Sequence, residues 1–283
     1  MISIIISTYN HEYFKAIVKS IQKTIGNVLY EIVPIENHAQ YSICEAYNIG
    51  AERAKFPFLC FVHEDIDFRT QNWGENLVKL TQNDETIGLV GVMGTKFKST
   101  YPKSYWNTCI FLRRLCYGHG IGIDYSKKTE YYIDIPTYSR HYDNTPQILS
   151  SPQSQTVDVV CIDGMFLFTR KEIWQKCRFD EKLLNNFHGY DIDFSLQVFF
   201  ASYRVVIDKT LLLCHYSFGN FNAEFYKAQA AIQRKWKGKL PVGTQDIRSI
   251  KKHWYNAICL TVGLVKDIID RMNLHKFARK IIG

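Results

Sequence analysis

Paired cysteines are missing. The eight cysteines (Cys44, Cys60, Cys109, Cys116, Cys161, Cys177, Cys214 and Cys259) are scattered through the chain, and no two form a CxxC. Several lie inside apolar runs such as "FPFLCFV" and "LLLCHY". That is the pattern of reduced, buried thiols in a reducing compartment, not of a disulfide framework. No GxGxxG follows any strand-like run, which weighs against a dinucleotide oxidoreductase. The first such run leads into "STYNHEYF", with no Gly in it and no Lys before Lys15. A sugar-phosphate nucleotidyltransferase would want a Gly-rich, basic loop there to cradle triphosphate. No basic segment precedes "MISIIIS", and that apolar run is too short for a signal peptide or a membrane span, so a cytoplasmic chain is expected. Internal repeats and low-complexity segments are absent as well.

What remains is an ordinary globular composition. Of 283 residues, 46% are hydrophobic and 22% charged, enough chain for one large α/β domain or two small ones. The aromatic share is high at 14%, with 18 Tyr and 18 Phe. It suits aromatic-lined clefts such as those of sugar binders, although large cores use aromatics too. The net charge of +8 is unevenly placed: residues 227–283 hold 13 Lys/Arg against 3 Asp/Glu, and residues 1–226 hold 22 against 24. The near-neutral body excludes a nucleic-acid binder with a charged main face, and the basic tail is suited to something anionic.

Hydrophobic periodicity alternates through the first hundred residues. "ISIIIS" reads as a strand, "EYFKAIVKSIQKTIG" as an amphipathic helix stopped at Gly26, and "LYEIVPI" as a strand whose Pro34 marks an exposed position. "YSICEAYNIGAERAK" is a second helix, "FPFLCFV" a third strand, "WGENLVKLTQ" a third helix and "IGLVGVMG" a fourth strand. This order predicts a parallel sheet with helices on both faces and a ligand site beyond the carboxyl ends of the strands. Residues 99–156 read as an irregular insertion with a short basic patch at "FLRRLCYGHG" and a strand at "YYIDI". The pattern resumes with "VDVVCIDGMFLFTR" as a strand pair or bulged strand, helices at "KEIWQKC" and "GYDIDFSLQVFFASY", and strands in "RVVIDKTLLLCHYSFG" that end at His215. From residue 221 the chain is helical.

Three polar clusters fall at predicted strand ends: "STYN" (7–10), "ENHAQ" (36–40) and "HEDID" (63–67). Acidic side chains at a strand end need a cation, a set of donors or plain water; Glu64 and Asp67 are compatible with solvation alone. Asp65 is a hard oxygen ligand of the kind a divalent cation on a diphosphate prefers. Asp191 and Asp193 open a predicted helix about 200° apart on its wheel, so they face different directions. A carboxylate there serves as a proton acceptor or simply favours the helix start. His215 at a strand end is compatible with either a ligand or a hydrogen-bonded core residue.

These segments resemble the family 2 glycosyltransferases of the GT-A fold, in a branch with His-Glu-Asp at the usual Asp-x-Asp position. "ISIIISTYN", "EIVPIEN" and "EAYNIGAERAKFPFLCFVHED" carry the resemblance in the first half, and "VDVVCIDGMFLFTRKEIW" and "RFDEKLLNNFHGYDIDFSLQ" in the second. It covers roughly residues 1–98 and 157–220, and the order of the motifs makes it specific. It implies a nucleotide-binding α/β sheet flanked by helices, with a catalytic domain over 1–220. Within that domain lie a nucleotide-sugar half (1–98), the insertion (99–156) and an acceptor half (157–220), followed by a basic helical C-terminal region (221–283). By resemblance, Thr8, Tyr9 and Glu36 hold the nucleotide base, Asn48 and Arg53 lie on the donor-side helix, and His63, Glu64 and Asp65 form the donor motif. Asp65 and His215 would hold Mn²⁺ or Mg²⁺. Asp163, Gly164 and Tyr190 lie toward the acceptor, and Asp191 is the general base of an inverting transfer. His63 departs from the usual acid, and Tyr190 from the usual Glu. Implied partners are a nucleotide-sugar, with UDP by analogy, and a saccharide or lipid-linked acceptor in surface-glycan synthesis. A non-catalytic nucleotide-sugar binder on the same fold remains open.

The tail has its own pattern. Trp254, Ile258, Val262, Val265, Ile269 and Met272 recur at helical spacing, with Lys251, Lys252, Lys266, Arg271, Lys276, Arg279 and Lys280 around them. Residues 246–283 are expected either to pack on the catalytic domain or to meet an anionic membrane surface.

Overall fold

The computed structural model describes residues 1–102, 115–124, 129–135, 139–141, 156–217 and 222–271. Strand β1 (Ile2–Thr8) shows why a sheet forms at its centre. Ile5 faces one apolar core while Ile2, Ile4 and Ile6 face another, so the two-residue period of a strand feeds both sides. Helix α1 (His11–Thr24) starts where the Asn10 side chain accepts from the Glu12 and Tyr13 amides. Strand β2 (Tyr30–Glu36) runs parallel to β1 on the sheet's edge, where an exposed Pro34 lacks no required partner. Helix α2 (Ile43–Arg53) opens with a reciprocal capping box between Ser42 and Glu45. It returns the chain to β3 (Phe58–His63), parallel to β1 on its other side.

After β3 come β4 (Ile66–Phe68), α3 (Trp73–Asn83), β5 (Ile87–Gly91), β6 (Met93–Thr95) and β7 (Phe97–Lys98). The fourth expected strand is therefore broken at Val92, and its second part leaves for another sheet. Residues 99–156, expected to be irregular, carry three strands in their described part: β8 (Cys116–Asp124), β9 (Thr129–Ile135) and β10 (Ser139–His141). They pair antiparallel as a meander, so this segment is an added sheet. Most of the basic patch at "FLRRLCYGHG" lies outside the described residues.

The second half contributes β11 (Thr156–Val159), β12 (Cys161–Ile162), β13 (Phe166–Arg170), α4 (Lys171–Lys176), α5 (Tyr190–Phe200), β14 (Arg204–Asp208) and β15 (Leu213–His215). Then follow α6 (Ala223–Lys235), β16 (Val242–Gly243) and α7 (Ser249–Arg271). The main sheet has the order β11-β14-β5-β13-β3-β1-β2. It is mixed: β1, β2, β3 and β5 run parallel as their alternation with helices predicts, while β13 lies antiparallel between β3 and β5, and β11 is antiparallel to β14. A parallel neighbour needs a crossover, but the chain reaches β13 from β12 through a short turn with no helix.

Helices α2, α4, α5 and α6 supply the core on one face of this sheet, and α1 and α3 the core on the other. The second sheet runs β10-β9-β8-β15-β4, with β6 bridging β8 and β12. Because β4 follows β3 directly and β15 pairs with β4, the two sheets meet at the carboxyl edge of β3. A small third core of Phe97, Tyr101, Ile247 and Cys259 seats α7.

Candidate active site

His63 is the last residue of β3 and is gripped from both sides. It lies opposite Ser7 of β1, and its amide donates to the Met165 carbonyl at 3.1 Å. The chain then turns into β4, whose antiparallel ladder with β15 puts His215 opposite Ile66. The Tyr216 amide donates to the Asp65 carbonyl at 3.1 Å, closing the turn. Backbone pairing alone thus brings together residues 63, 65 and 215. Their ligand atoms lie within 4.8 Å of one another. Asp65 Oδ1 is 3.4 Å from His215 Nε2 and 4.0 Å from His63 Nδ1.

The tautomer of His63 follows from its neighbours. The Tyr190 hydroxyl donates to the Gly164 carbonyl at 3.0 Å, so its oxygen accepts from His63 Nε2 at 2.6 Å. That leaves the Nδ1 lone pair on the side of Asp65. Burial, then His215, pushes the His63 pKa down to about 4 against Asp65 and Asp163, so the ring is neutral at pH 7. Burial works to raise the Asp65 carboxyl, but the hydrogen bond and charge of His215, the charge of His63 and the Ser217 hydroxyl hold it well below the carboxylate range. Burial would lower His215; Asp65 outweighs it, with help from Asp163, and raises it. Two imidazoles and one carboxylate are a donor set that fits Mn²⁺ or another borderline divalent ion. The Tyr190 bond to His63 is the outer contact that such ligands use to fix a ring.

The close approach of Tyr190 depends on Gly164. A Cβ on Gly164 would lie 2.2 Å from the Tyr190 hydroxyl, a distance no side chain tolerates. Asp191, next to Tyr190, accepts from the Gly164 amide at 3.1 Å and from its own neighbour Ile192 at 2.9 Å. It is 4% exposed. Asp163 is half-buried and accepts from the Met165 amide at 3.0 Å. Asp193 points the other way, as the wheel predicts: it accepts from Lys235 at 2.7 Å, Trp236 at 2.8 Å and Gln197 at 2.9 Å. It therefore ties α6 to α5.

A profile of the glycosyltransferase-like family matches residues 3–235, from β1 to the end of α6. The chain belongs to this glycosyltransferase-like family. A search of curated protein sequences gives no match. Among solved structures, the chain is similar to the crystal structure of GalNAc-T7 with UDP, GalNAc and Mn²⁺, with a TM-score of 0.51 and 13% identity. The alignment covers 78% of this chain and 44% of that one, so the present chain spans less than half of that protein. A similarity to the crystal structure of A197 from STIV has a TM-score of 0.39 and 12% identity, over 77% of this chain and 86% of that one. At 13% identity the likeness to the first concerns the fold, which is the GT-A-type mixed α/β sheet flanked by helices.

In this family member the carboxyl edge gathers most of the sequence-predicted residues, but not all. Thr8 and Tyr9 lie at the end of β1, and Tyr9 is 67% exposed. Glu36 is exposed at the end of β2. Four residues lie elsewhere than the sequence reading placed them. Glu64 is buried and points back at the β1–α1 turn, where one oxygen accepts from Thr8 Oγ1 at 2.5 Å and from the Tyr9 and Asn10 amides at 3.3 and 3.2 Å. It shapes the donor loop from behind and is not solvated. Asp67 likewise accepts from Ser20 at 2.6 Å and pairs with Arg69 at 2.9 Å.

Asn48 is 3% exposed, with its carboxamide bonded to the Phe179 carbonyl, Glu181 and Trp174, so it binds α2 to the 177–184 segment. Arg53 is exposed in the last turn of α2. That helix runs back from the β2 end to the β3 start, which puts Arg53 at the opposite edge from His63. Two residues were missed. Ser217 lies 3.2 Å from His215 Nε2, and Phe187, 51% exposed, has its ring 5.8 Å from that of His63. Only an aromatic between polar residues in "NNFHGY" marked Phe187.

Proposed function

We propose that this glycosyltransferase is a metal-dependent, inverting enzyme that moves a sugar from a nucleoside-diphosphate donor, UDP-sugar by preference, to a saccharide or lipid-linked acceptor. The observation that carries this reading is the convergence of His63, Asp65 and His215 at the carboxyl edge of β3, within a chain of this family. The UDP and Mn²⁺ named for the GalNAc-T7 structure support the choice of nucleotide and ion. His63 Nδ1, Asp65 and His215 would hold the cation. Bound there, a divalent cation stabilises the negative charge that develops on the diphosphate leaving group.

The protein's own groups do the rest. Asp65 stays ionised through the physiological range, and His63 stays neutral with its lone pair aimed inward. Tyr9 offers an exposed ring for the nucleotide base, with Glu36 at the next strand end. Asp191 takes the proton of the acceptor hydroxyl as that oxygen bonds to the anomeric carbon. The bond to the diphosphate breaks on the opposite face, and the configuration inverts. A second assignment of the base has its own support. Asp163 is the less buried carboxylate, and its charge is felt by both His63 and His215, whereas Asp191 already accepts two backbone amides.

A thermal-shift panel of nucleoside diphosphates and nucleotide-sugars, with and without Mn²⁺, tests the proposal. Stabilisation by a UDP-sugar that needs Mn²⁺, followed by release of UDP on adding acceptor, is the expected result. Stabilisation without any turnover would instead identify a nucleotide-sugar-binding protein.

A further inference from the structure

Helix α7 is apolar on two opposite sides, and the described residues cover only one of them. Cys259 and Gly263 are buried, and Tyr255, Ile258 and Val262 are partly buried against Phe97 and Tyr101. Gly263 allows the contact: a Cβ there would lie 2.4 Å from Tyr101, whose hydroxyl donates to the Gly263 carbonyl at 3.1 Å. The opposite side carries Ile250, Trp254, Ala257, Thr261, Leu264, Val265 and Ile268, all exposed. Ile250 and Trp254 are 83% and 69% exposed, so no described residue packs over them. At 3.6 residues per turn these seven positions fall within a stripe about 100° wide.

The single face read from the sequence joins residues of both sides: Trp254 and Val265 are exposed, whereas Ile258 and Val262 are partly buried. Periodicity finds an apolar side but cannot tell which of two is covered. Residues 272–283, including Met272, lie outside the described residues.

We propose that the exposed stripe of α7 lies flat on an anionic lipid surface. Charge argues for that occupant. Lys251 is exposed beside the stripe, Arg248 and Lys266 are exposed on the other side of the helix axis, and residues 227–283 hold 13 Lys/Arg against 3 Asp/Glu. An apolar stripe with Trp and Leu in a strongly basic segment is the composition of an interfacial helix, and cations near an anionic surface strengthen its hold. A second copy of the chain is disfavoured, because joining two such faces brings like charges together. Among the described residues no helix is long and apolar enough to cross a membrane, so α7 lies on the surface and does not span it. The proposal stands apart from the transfer chemistry and does not depend on it.

The test uses the full chain with vesicles of phosphatidylcholine, alone or with phosphatidylglycerol. We expect co-sedimentation only with the anionic vesicles at low salt, with release as salt rises. The double variant Trp254→Glu, Leu264→Glu changes two exposed positions, and thermal melting confirms that it folds. Its affinity for the vesicles falls about tenfold or more. Wild-type protein that ignores anionic vesicles overturns the proposal, as does a variant that binds them as well as wild type. A concentration-dependent dimer in sedimentation velocity that the double variant abolishes also overturns it, because a second copy then covers the stripe.

Discussion

His63 and Tyr190, 127 positions apart in sequence, share a 2.6 Å hydrogen bond that joins the end of β3 to the start of α5. The phenol in turn donates to the Gly164 carbonyl, so one buried hydroxyl sets the tautomer of a candidate metal ligand and the position of the Asp163–Gly164 turn. Tyr190→Phe keeps the ring and removes both bonds. Outer-shell losses of this kind lower metal affinity by about 10- to 100-fold. A Mn²⁺ titration of the variant with UDP present measures it; affinity equal to wild type would show that Tyr190 only packs.

Two carboxylates compete for the role of proton acceptor. Asp191→Asn should lower kcat by about 10²-fold or more while donor affinity holds, the usual scale for a general base. Asp163→Asn, measured in parallel, should reduce kcat much less. The reverse order assigns the base to Asp163.

The carboxyl edge was largely legible in the sequence, because apolar runs end abruptly in polar residues at positions 8, 36, 63 and 215, and β-α alternation aligns such ends. What side chains do at those ends was less legible. Glu64 read as donor-facing or solvated, yet the turn between β3 and β4 sends it under the β1–α1 turn, where it accepts from Thr8 and Asn10. Asn48 is a donor contact by resemblance of its helix alone, whereas α4 and the 177–184 segment cover it. The antiparallel placement of β13 depends on a three-residue turn after Ile162 that carries no periodicity. In 99–156 only "YYIDI" read as a strand, because Gly118, Gly120 and Gly122 weaken the strand signal of β8.

Asn48 offers a check on that reassignment. Asn48→Ala removes three hydrogen bonds and strands the Trp174 indole N–H, so unfolding should become easier by about 2–3 kcal/mol. Nucleotide affinity should be unchanged. A selective loss of nucleotide binding at unaltered stability would restore Asn48 to the donor site.

Lys98 predicts a pH effect on stability. Burial in the β7 strand pulls its pKa down to about 8, against the charges of Cys161, Cys259 and Asp191, which raise it. Below pH 8 the group is charged in both states, and its burial opposes folding in full. Between about 8 and the ordinary value of 10.5 the unfolded chain holds more protons than the folded one, so stability rises with pH in that window. Thermal melts of wild type and Lys98→Met should therefore show the difference moving in favour of wild type from pH 7 to pH 10. A constant difference would mean that Lys98 is not the group responsible.

The most direct measurement is calorimetric binding of UDP with and without Mn²⁺, in wild type and in Asp65→Ala. Asp65 is half-buried at the turn after β3, so the variant should fold, which its melting temperature verifies. Wild type should bind UDP only when Mn²⁺ is present, and Asp65→Ala should lose that metal-dependent binding at an unchanged melting temperature. Equal Mn²⁺-dependent UDP affinity in the two proteins would contradict a cation held by His63, Asp65 and His215.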